Sequence, residues 1–490
     1  MDDALPFDAL RQSVDPAVVE AMERLVRHGP DRKLNRINVL AFASAEGLDP
    51  EAAISGFVHA SRTGLFDMSW NVLCPGCGGV LGVNATLKTV HSSRYTCSLC
   101  AAGYEPDLDD MVEVTFTVNP RLRAIEAHHP DRLSPEEYFR QIYWGSGIDL
   151  PEDGYERIIG EFLIEAMELP PGEKGVISLQ LPADYVIVFE PVTHAVQFID
   201  VTGEPTRERR SLSLTYDRSH SPSQEIRLQP GPLRIQVENH LDVRTLPSVC
   251  IANDILHDLL GKRRPFLTAK ALLSNQTFRD LYRTDTIGPD QRLKITSLTF
   301  LFTDLRGSTE LYERVGDLAA FELVQSHFAV LNDIVAAEAG AVVKTIGDAV
   351  MATFPTPDRA VAAAMRMREA MIDLNGQDGR EELLLKIGIH EGPCIAVSLN
   401  DRQDYFGQTV NIASRVQQLA TTHEIYATEP VLGDARALGL LSIRGLTPEA
   451  QNVALRGIAN EIKVFTIPTP DPSRYPAADR LLRPAPAVAR

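Results

Sequence analysis

The chain has 490 residues, 44% hydrophobic and 23% charged, which is too long for one hydrophobic core and suggests about three globular domains. Its 48 basic against 66 acidic residues give a net charge of −18, which favours solubility and argues against a long nucleic-acid track. Apolar runs fall well short of a bilayer span and the opening MDDALPFDAL is acidic, so neither a signal peptide nor membrane insertion is expected and the predicted location is cytoplasmic.

Residues 1–70 form a small helical segment. Apolar spacing is helical in AVVEAMERLV (17–26) and INVLAFASA (37–45), and Asp49-Pro50 opens a third helix through Val58. Three helices followed by TGLFDMSWNV resemble a winged-helix layout. Over residues 1–110, however, 9 basic and 15 acidic residues offer no phosphate-binding stripe, and no nucleic-acid partner is expected. Residues 71–109 hold CPGC (74–77), nineteen intervening residues and CSLC (97–100). Two such knuckles can supply four thiolates to one tetrahedral ion, so Cys74, Cys77, Cys97 and Cys100 predict a zinc ribbon. With all four positions filled, the Zn²⁺ is structural. Cys250 and Cys394 stand alone.

From 110 to 258 the texture is strand-rich: VEVTFTV, GVISLQL, DYVIVFEP, AVQFIDV, SLSLTYD and PLRIQVENH are punctuated by turn residues and predict an antiparallel, sandwich-like regulatory domain. A helical patch, SPEEYFRQIY (134–143), interrupts it, and His128-His129 read as surface histidines. A helical connector follows at 259–294, with one helix ending before Thr286 and Gly288-Pro289. Residues 295–467 carry strand (298–303), helix (317–339), strand (341–346), strand (349–354), helix (358–374), strand (383–390), helix (409–420) and strand (424–428). This βαββαβ order is ferredoxin-like. In the first helix Phe321, Val324, Phe328, Leu331 and Val335 step at helical spacing as one buried stripe, and Gly340 supplies the stop. The Pro-, Ala- and Arg-rich stretch 468–490 is expected to be disordered. The fold class is therefore α+β, with a ferredoxin-like domain at the C-terminal end behind the helical, zinc and strand-rich segments.

Two stretches of 295–467 bring a carboxylate to a glycine-marked turn at the end of an apolar run: LTFLFTDLRGST, with Asp304, and VVKTIGDAVMATF, with Asp348. Hard carboxylates held side by side suit Mg²⁺ and a triphosphate. Together with KIGIHEG and DYFGQTVNIASR, these segments resemble, in order, the signatures of the class III nucleotidyl cyclases. The likeness covers about 170 residues. The zinc knuckles and strand-rich region also resemble the N-terminal halves of some soluble bacterial cyclases.

The resemblance implies that MgATP loses pyrophosphate as its own 3′-hydroxyl attacks the α-phosphorus. Asp304, Asp348 and the adjoining Leu305 backbone would bind two Mg²⁺ (or Mn²⁺) ions, with amides through Gly307, Ser308 and Thr309 cradling phosphate oxygens. Lys344 can donate to the adenine ring nitrogen and Asp404 can accept from the exocyclic amine. Guanine presents the reverse pattern, and guanylate cyclases of the family typically carry glutamate at the position of Lys344. Asn411 would orient the ribose and Arg415 would stabilise charge on the transferred phosphoryl group. Lys386 and Arg456 match triphosphate-holding positions, while His390 and Cys394 read as packing residues. Family sites are composite, so a homodimer with two shared sites is expected, answering to an unidentified regulatory ligand or protein. The rivals are a guanylate cyclase and a degenerate module that only binds nucleotide.

Overall fold

The computed structural model describes residues 7–469, apart from 92–93, 218–224, 283–286, 289–290, 307–312, 379–383, 400–401 and 421–423. Residues 470–490, most of the expected tail, lie outside the described residues, as do Gly307, Ser308 and Thr309. The chain divides into two compact units. The first comprises Met1–Leu272, Asp280–Lys294 and Val397–Arg402; the second comprises Leu273–Arg279, Ile295–Ala396 and Gln403–Arg490. Among the described residues no helix is long and apolar enough to cross a membrane.

In the first unit, helices span Pro16–His28, Val39–Glu46 and Pro50–Arg62, and Asp15, Asn38 and Asp49 accept hydrogen bonds from the otherwise unpaired amides of their first turns. Phe57 on the third helix meets Phe42 and Phe66 edge-on, with centroids 5.2 and 5.1 Å apart. An antiparallel sheet of Val80–Asn84, Phe66–Leu73 and Val112–Val118 follows. The first CxxC pair lies between two of its strands, and the second lies on the hairpin Tyr95–Cys97/Ala102–Tyr104. His128 is more than a surface residue: its Nδ1 accepts from the Ile125 amide (3.1 Å) and its Nε2 donates to the Val118 carbonyl (2.8 Å). The SPEEYFRQIY patch is a short helix, Pro135–Tyr138, that runs into a π-helical turn, Phe139–Tyr143.

The strand-rich region is a sandwich. A five-stranded sheet (Ile226–Leu228, Ala195–Val201, Tyr185–Glu190, Ser248–Ile251, Leu163–Ala166) faces a three-stranded one (Arg210–Tyr216, Gly231–Asn239, Lys174–Leu181). Val186, Val188 and Ile199 share one core with Ile177, Ile235 and Val237. Unlike the antiparallel expectation, Arg210–Tyr216 pairs parallel with Gly231–Asn239, and Ile226–Leu228 parallel with Ala195–Val201. Side-chain alternation records which face is buried and is blind to strand direction. The connector also differs from the single expected helix. It forms two short helices, Ala269–Leu273 and Gln276–Leu281, because Asn275 Oδ1 accepts from the Phe278 amide (3.0 Å) and restarts the helix.

The second unit is built on β1 (Leu293–Arg306), α1 (Asp317–Ala337), β2 (Ala341–Ile346), β3 (Ala349–Phe354), α2 (Pro357–Asp378) and β4 (Leu384–Leu399). The strand order β2-β3-β1-β4 is the ferredoxin-like arrangement. β5 (Arg402–Phe406) pairs with β4; after α3 (Gln408–Leu419), β6 (Ile425–Thr428), α4 (Glu429–Leu432), α5 (Ala435–Ile443), β7 (Glu449–Val453) and β8 (Ile462–Ile467) follow, and the three strands extend the sheet beyond β4 in the order β6-β8-β7. β5, β7 and β8 went unread in the sequence. Val324, Leu331 and Val335 of α1 are buried in the common core with Met365 and Met367 of α2 and Ile387 of β4.

Two expectations for α1 need correction. Phe321 is 53% exposed, because the stripe leaves the core at the first turn, and its neighbour Leu318 is 75% exposed. The left-handed residue that ends the helix is Ala339 (φ 57°), not Gly340. Gly340 serves close approach instead: a Cβ there would lie 2.4 Å from the Phe354 ring.

Candidate active site

Asp304 and Asp348 reach one place through strand register. Thr303 of β1 lies opposite Val350 of β3, so Asp304 is one step from the two-residue turn, Gly347-Asp348, that joins β2 to β3. Gly347 takes φ 65° at the first turn position, as such a hairpin requires. Burial, and next the charge of Asp348, push the Asp304 carboxyl above its ordinary range; Lys386 on β4 opposes them, its Nζ 3.8 Å from Asp304 Oδ2. Asp348 Oδ2 is buried and has no hydrogen-bond partner among the described residues. A half-buried carboxylate destabilised by a second one, with an orphaned oxygen between strand and turn, is the environment a divalent cation satisfies. The residues therefore fit the implied metal. Lys386, expected at the triphosphate, stands beside the aspartates.

Lys344 and Asp404, sixty positions apart, meet directly: Lys344 Nζ donates to Asp404 Oδ2 at 2.5 Å, and Asp404 Oδ1 accepts from the Tyr405 amide (2.8 Å). The Asp404 side chain is 11% exposed and that of Lys344 is 42% exposed, so the carboxylate is the fixed member and the ammonium the mobile one. A β-bulge between Val342 and Lys344 aims the lysine. Arg279 of the helix Gln276–Leu281 holds this bulge. Its Nη2 donates to the Gln403 carbonyl (3.0 Å) and the Val343 carbonyl (3.4 Å), the residues just before Asp404 and Lys344. Gln276 Oε1 accepts from the Val342 amide (2.8 Å).

Asn411 and Arg415 share a face of α3, the first exposed and the second half-buried. The Arg415 guanidinium lies 3.5 Å from where a Cβ on Gly457 would sit, so it faces the turn that carries exposed Arg456. Leu305 is buried. His390 donates or accepts at Thr428 Oγ1 (2.7 Å) and is buried with Cys394, in keeping with packing roles. Arg279, Gln276 and Gln417, the last buried on α3 beside Asp304, were missed by sequence reasoning. No local motif marks them, because their partners lie over sixty residues away.

In the first unit the four sulfur atoms of Cys74, Cys77, Cys97 and Cys100 all lie within 4.8 Å of one another. The Cys74–Cys100 and Cys77–Cys97 separations are 3.5 and 3.7 Å. These are too long for disulfides and close to the tetrahedron edge of about 3.8 Å that follows from Zn–S bonds of about 2.3 Å. Contacts among the thiols, with Cys100 foremost, push Cys74 below and Cys77 above the ordinary thiol range. A closed site for structural Zn²⁺ fits this donor set.

Residues 1–280 match a family of unknown function, DUF5939, and residues 291–452 match the adenylate and guanylate cyclase catalytic domain. Adenylate cyclase of Anabaena cylindrica is 28% identical over 185 residues, covering 35% of this chain and 36% of that protein. Adenylate cyclase 2 of Rhizobium meliloti is 33% identical over 168 residues, covering 32% and 45%. The chain thus spans less than half the length of these relatives. Among solved structures, the adenylyl cyclase CyaB from P. aeruginosa aligns at 23% identity with a TM-score of 0.32, over 36% of this chain and 96% of that one.

Proposed function

Because the chain belongs to DUF5939, a family of unknown function, and is a class III nucleotidyl cyclase, we propose that it is an adenylate cyclase, converting ATP to 3′,5′-cyclic AMP and pyrophosphate. The observation that carries the choice of base is the Lys344–Asp404 pair, one donor and one acceptor side by side at 2.5 Å. Adenine offers an acceptor beside a donor and can insert between them, with Lys344 donating to the ring nitrogen and Asp404 accepting from the amine. Guanine would leave both partners and its own groups unpaired, at about 1–3 kcal/mol for each buried group.

Asp304 and Asp348, with the Leu305 backbone, would hold two Mg²⁺ or Mn²⁺ ions. Bound there, the metal supplies the Lewis acidity that favours the 3′-alkoxide and offsets triphosphate charge. The 3′-oxygen then bonds to the α-phosphorus as the bond to the β-phosphate oxygen breaks, its proton passing to solvent and pyrophosphate leaving. Asn411 orients the ribose, and Arg415, always charged and multidentate, stabilises the transferring phosphoryl group. Lys386, within reach of Asp304, shares the anionic load of metal ligands and triphosphate. Arg456 beside Arg415 adds a second cation for the phosphates.

The sites are composite, with the aspartates of one protomer facing Lys344, Asp404, Asn411 and Arg415 of its partner. Exposed apolar side chains on the cyclase unit support a homodimer: Leu318, Phe321, Ile346 and Phe406 are 53–75% exposed. Ile346 and Phe406 stand two residues from Lys344 and Asp404. The N-terminal region controls the rate. Removing residues 1–255 changes activity or its response to conditions, and unaltered activity under every condition would refute that control.

The test of the chemistry is purified full-length protein with ATP or GTP and Mg²⁺ or Mn²⁺, scored by chromatography of the cyclic product. Cyclic AMP should dominate, and Asp304→Ala should reduce its formation to background. Faster formation of cyclic GMP would overturn the base assignment, and absence of either product would favour the nucleotide-binding module.

A further inference from the structure

The first unit contains a cavity of about 900 Å³. It lies between the sandwich strand carrying Ile187 and Phe189, the π-helical turn with Phe139 and its neighbour Trp144, and the segment 248–263. The Cys77 and Cys100 knuckles close one side. Protein interiors contain few voids larger than a water molecule, and a cavity of this size falls at the upper end of the range of about 300–1,000 Å³ typical of small-molecule sites. Its wall is overwhelmingly apolar: Phe139, Trp144, Phe162, Ile187 and Phe189 all face it. Filling such a space with water would wet several aromatic rings at once, whereas an apolar guest would restore their contacts.

The rim sets the guest's polar end. Glu136 and Glu156 both border the cavity, and Glu137 lies beside them. Burial, then the charge of Glu156, raises the Glu136 carboxyl above its ordinary range, which marks negative charge in excess of what the nearby Arg140 balances. The basic groups that line the cavity, Arg263 and His257, and nearby Arg140 each hydrogen-bond a backbone carbonyl. Arg263 Nη2 donates to the Gly76 carbonyl (2.7 Å), and His257 Nδ1 donates to the Asn253 carbonyl (2.9 Å). Arg140 Nη2 donates to the Pro151 carbonyl (2.8 Å), with the guanidinium 4.8 Å above the Tyr155 ring.

We propose that this cavity is a binding site for a small amphiphile with a long apolar body and a neutral or cationic, hydrogen-bond-donating end that meets Glu136 and Glu156. The site stands independently of the cyclase chemistry and gives the N-terminal region a ligand class. Its last wall, 248–263, leads in sequence directly into the connector.

Three ten-carbon probes, decylamine, decanol and decanoate, test it by calorimetry on the full chain below their micellar concentrations. The chain has two tryptophans; Trp70 is buried elsewhere at 1% exposure, so saturable fluorescence changes will report Trp144. Decylamine and decanol should bind saturably, at least tenfold tighter than decanoate. Trp144→Phe should abolish the fluorescence change and retain the heat. Ala166→Phe, which fills the cavity from the sheet side, should weaken decylamine and decanol at least tenfold; Ala252→Phe does the same from the end of the neighbouring strand should the first variant unfold. Glu136→Gln with Glu156→Gln should erase the preference for amine over carboxylate. Failure of all three probes to bind, decanoate binding tightest, or affinity unchanged in a folded cavity-filled variant would overturn the proposal.

Discussion

Lys344 and Asp404 are bonded to each other, so changing one alone is costly in a way that changing both is not. Lys344→Glu would set two carboxylates against each other, with Asp404 only 11% exposed and unable to escape into water. Cyclic AMP formation should fall by about 10²–10³, the loss of one or two buried polar contacts. Lys344→Glu combined with Asp404→Cys restores a pattern that guanine can satisfy, so the GTP-to-ATP ratio of kcat/KM should rise at least a hundredfold. An unchanged ratio would remove this pair from base recognition. A second residue-scale consequence concerns pH. His327 and His390 are buried, at 0% and 9% exposure, and burial pushes each down to about 4, with the Asp348 charge partly opposing this at His327. Between an ordinary value of about 6.5 and about 4 the unfolded chain binds protons that the folded one refuses. Stability is therefore complete above about pH 6.5 and falls as pH drops through 4, by on the order of 3 kcal/mol per histidine. Urea midpoints at pH 7.5 and 4.5 measure the loss. His327 Nε2 has no partner among the described residues, so His327→Leu should keep the midpoint at pH 7.5 and lose less of it at pH 4.5. An identical loss would acquit His327.

At the scale of elements, the helix Gln276–Leu281 holds the strand bulge that aims Lys344 and the residue preceding Asp404. Arg279→Ala should cost about 1–2 kcal/mol of that positioning, or roughly tenfold in kcat/KM for ATP, with a smaller effect on GTP. Arg279→Lys should recover part of the loss. Equal losses for both nucleotides would make the contact merely structural. The cysteine knuckles carry their own prediction. The protein should release one Zn²⁺ per chain to a strong chelator when its thiols are modified, and Cys97→Ser should lower the thermal midpoint of the first unit; a metal-free protein with an unchanged midpoint would rule out the structural role. Elements differed in how far the sequence disclosed them. The βαββαβ order, the three N-terminal helices with their Asp and Asn caps, and the two CxxC knuckles all rest on signals within a few residues. Strand direction in the sandwich and the short edge strand Arg402–Phe406 do not, because pairing partners are chosen across the chain. Asp304 and Asp348 stood out because each closes an apolar run at a glycine-marked turn. Arg279 is indistinguishable by itself from any solvated arginine, and the cavity arises only when four separated segments converge.

For the whole molecule, composite sites make activity a property of pairs. Asp304→Ala and Arg415→Ala should each be nearly inactive. Mixing them at equal amounts should give about a quarter of the parental rate, since half of the dimers formed carry one intact site of two. No recovery, with dimers demonstrated by sedimentation, would place both residues in a single-chain site. The two compact units also trade chain: 273–279 belongs with the cyclase unit although 280–294, between it and β1, belongs to the first. The unit that evolution can move is therefore not the one a cut at the first cyclase strand would release. A gene fusion joining a new input at residue 294 would deliver the aspartates, Asn411 and Arg415 intact, but would leave behind the arginine and glutamine that clasp the base-reading strands. Such a fusion would inherit the reaction and lose its discernment between purines, whereas one joined ahead of Leu273 would carry both.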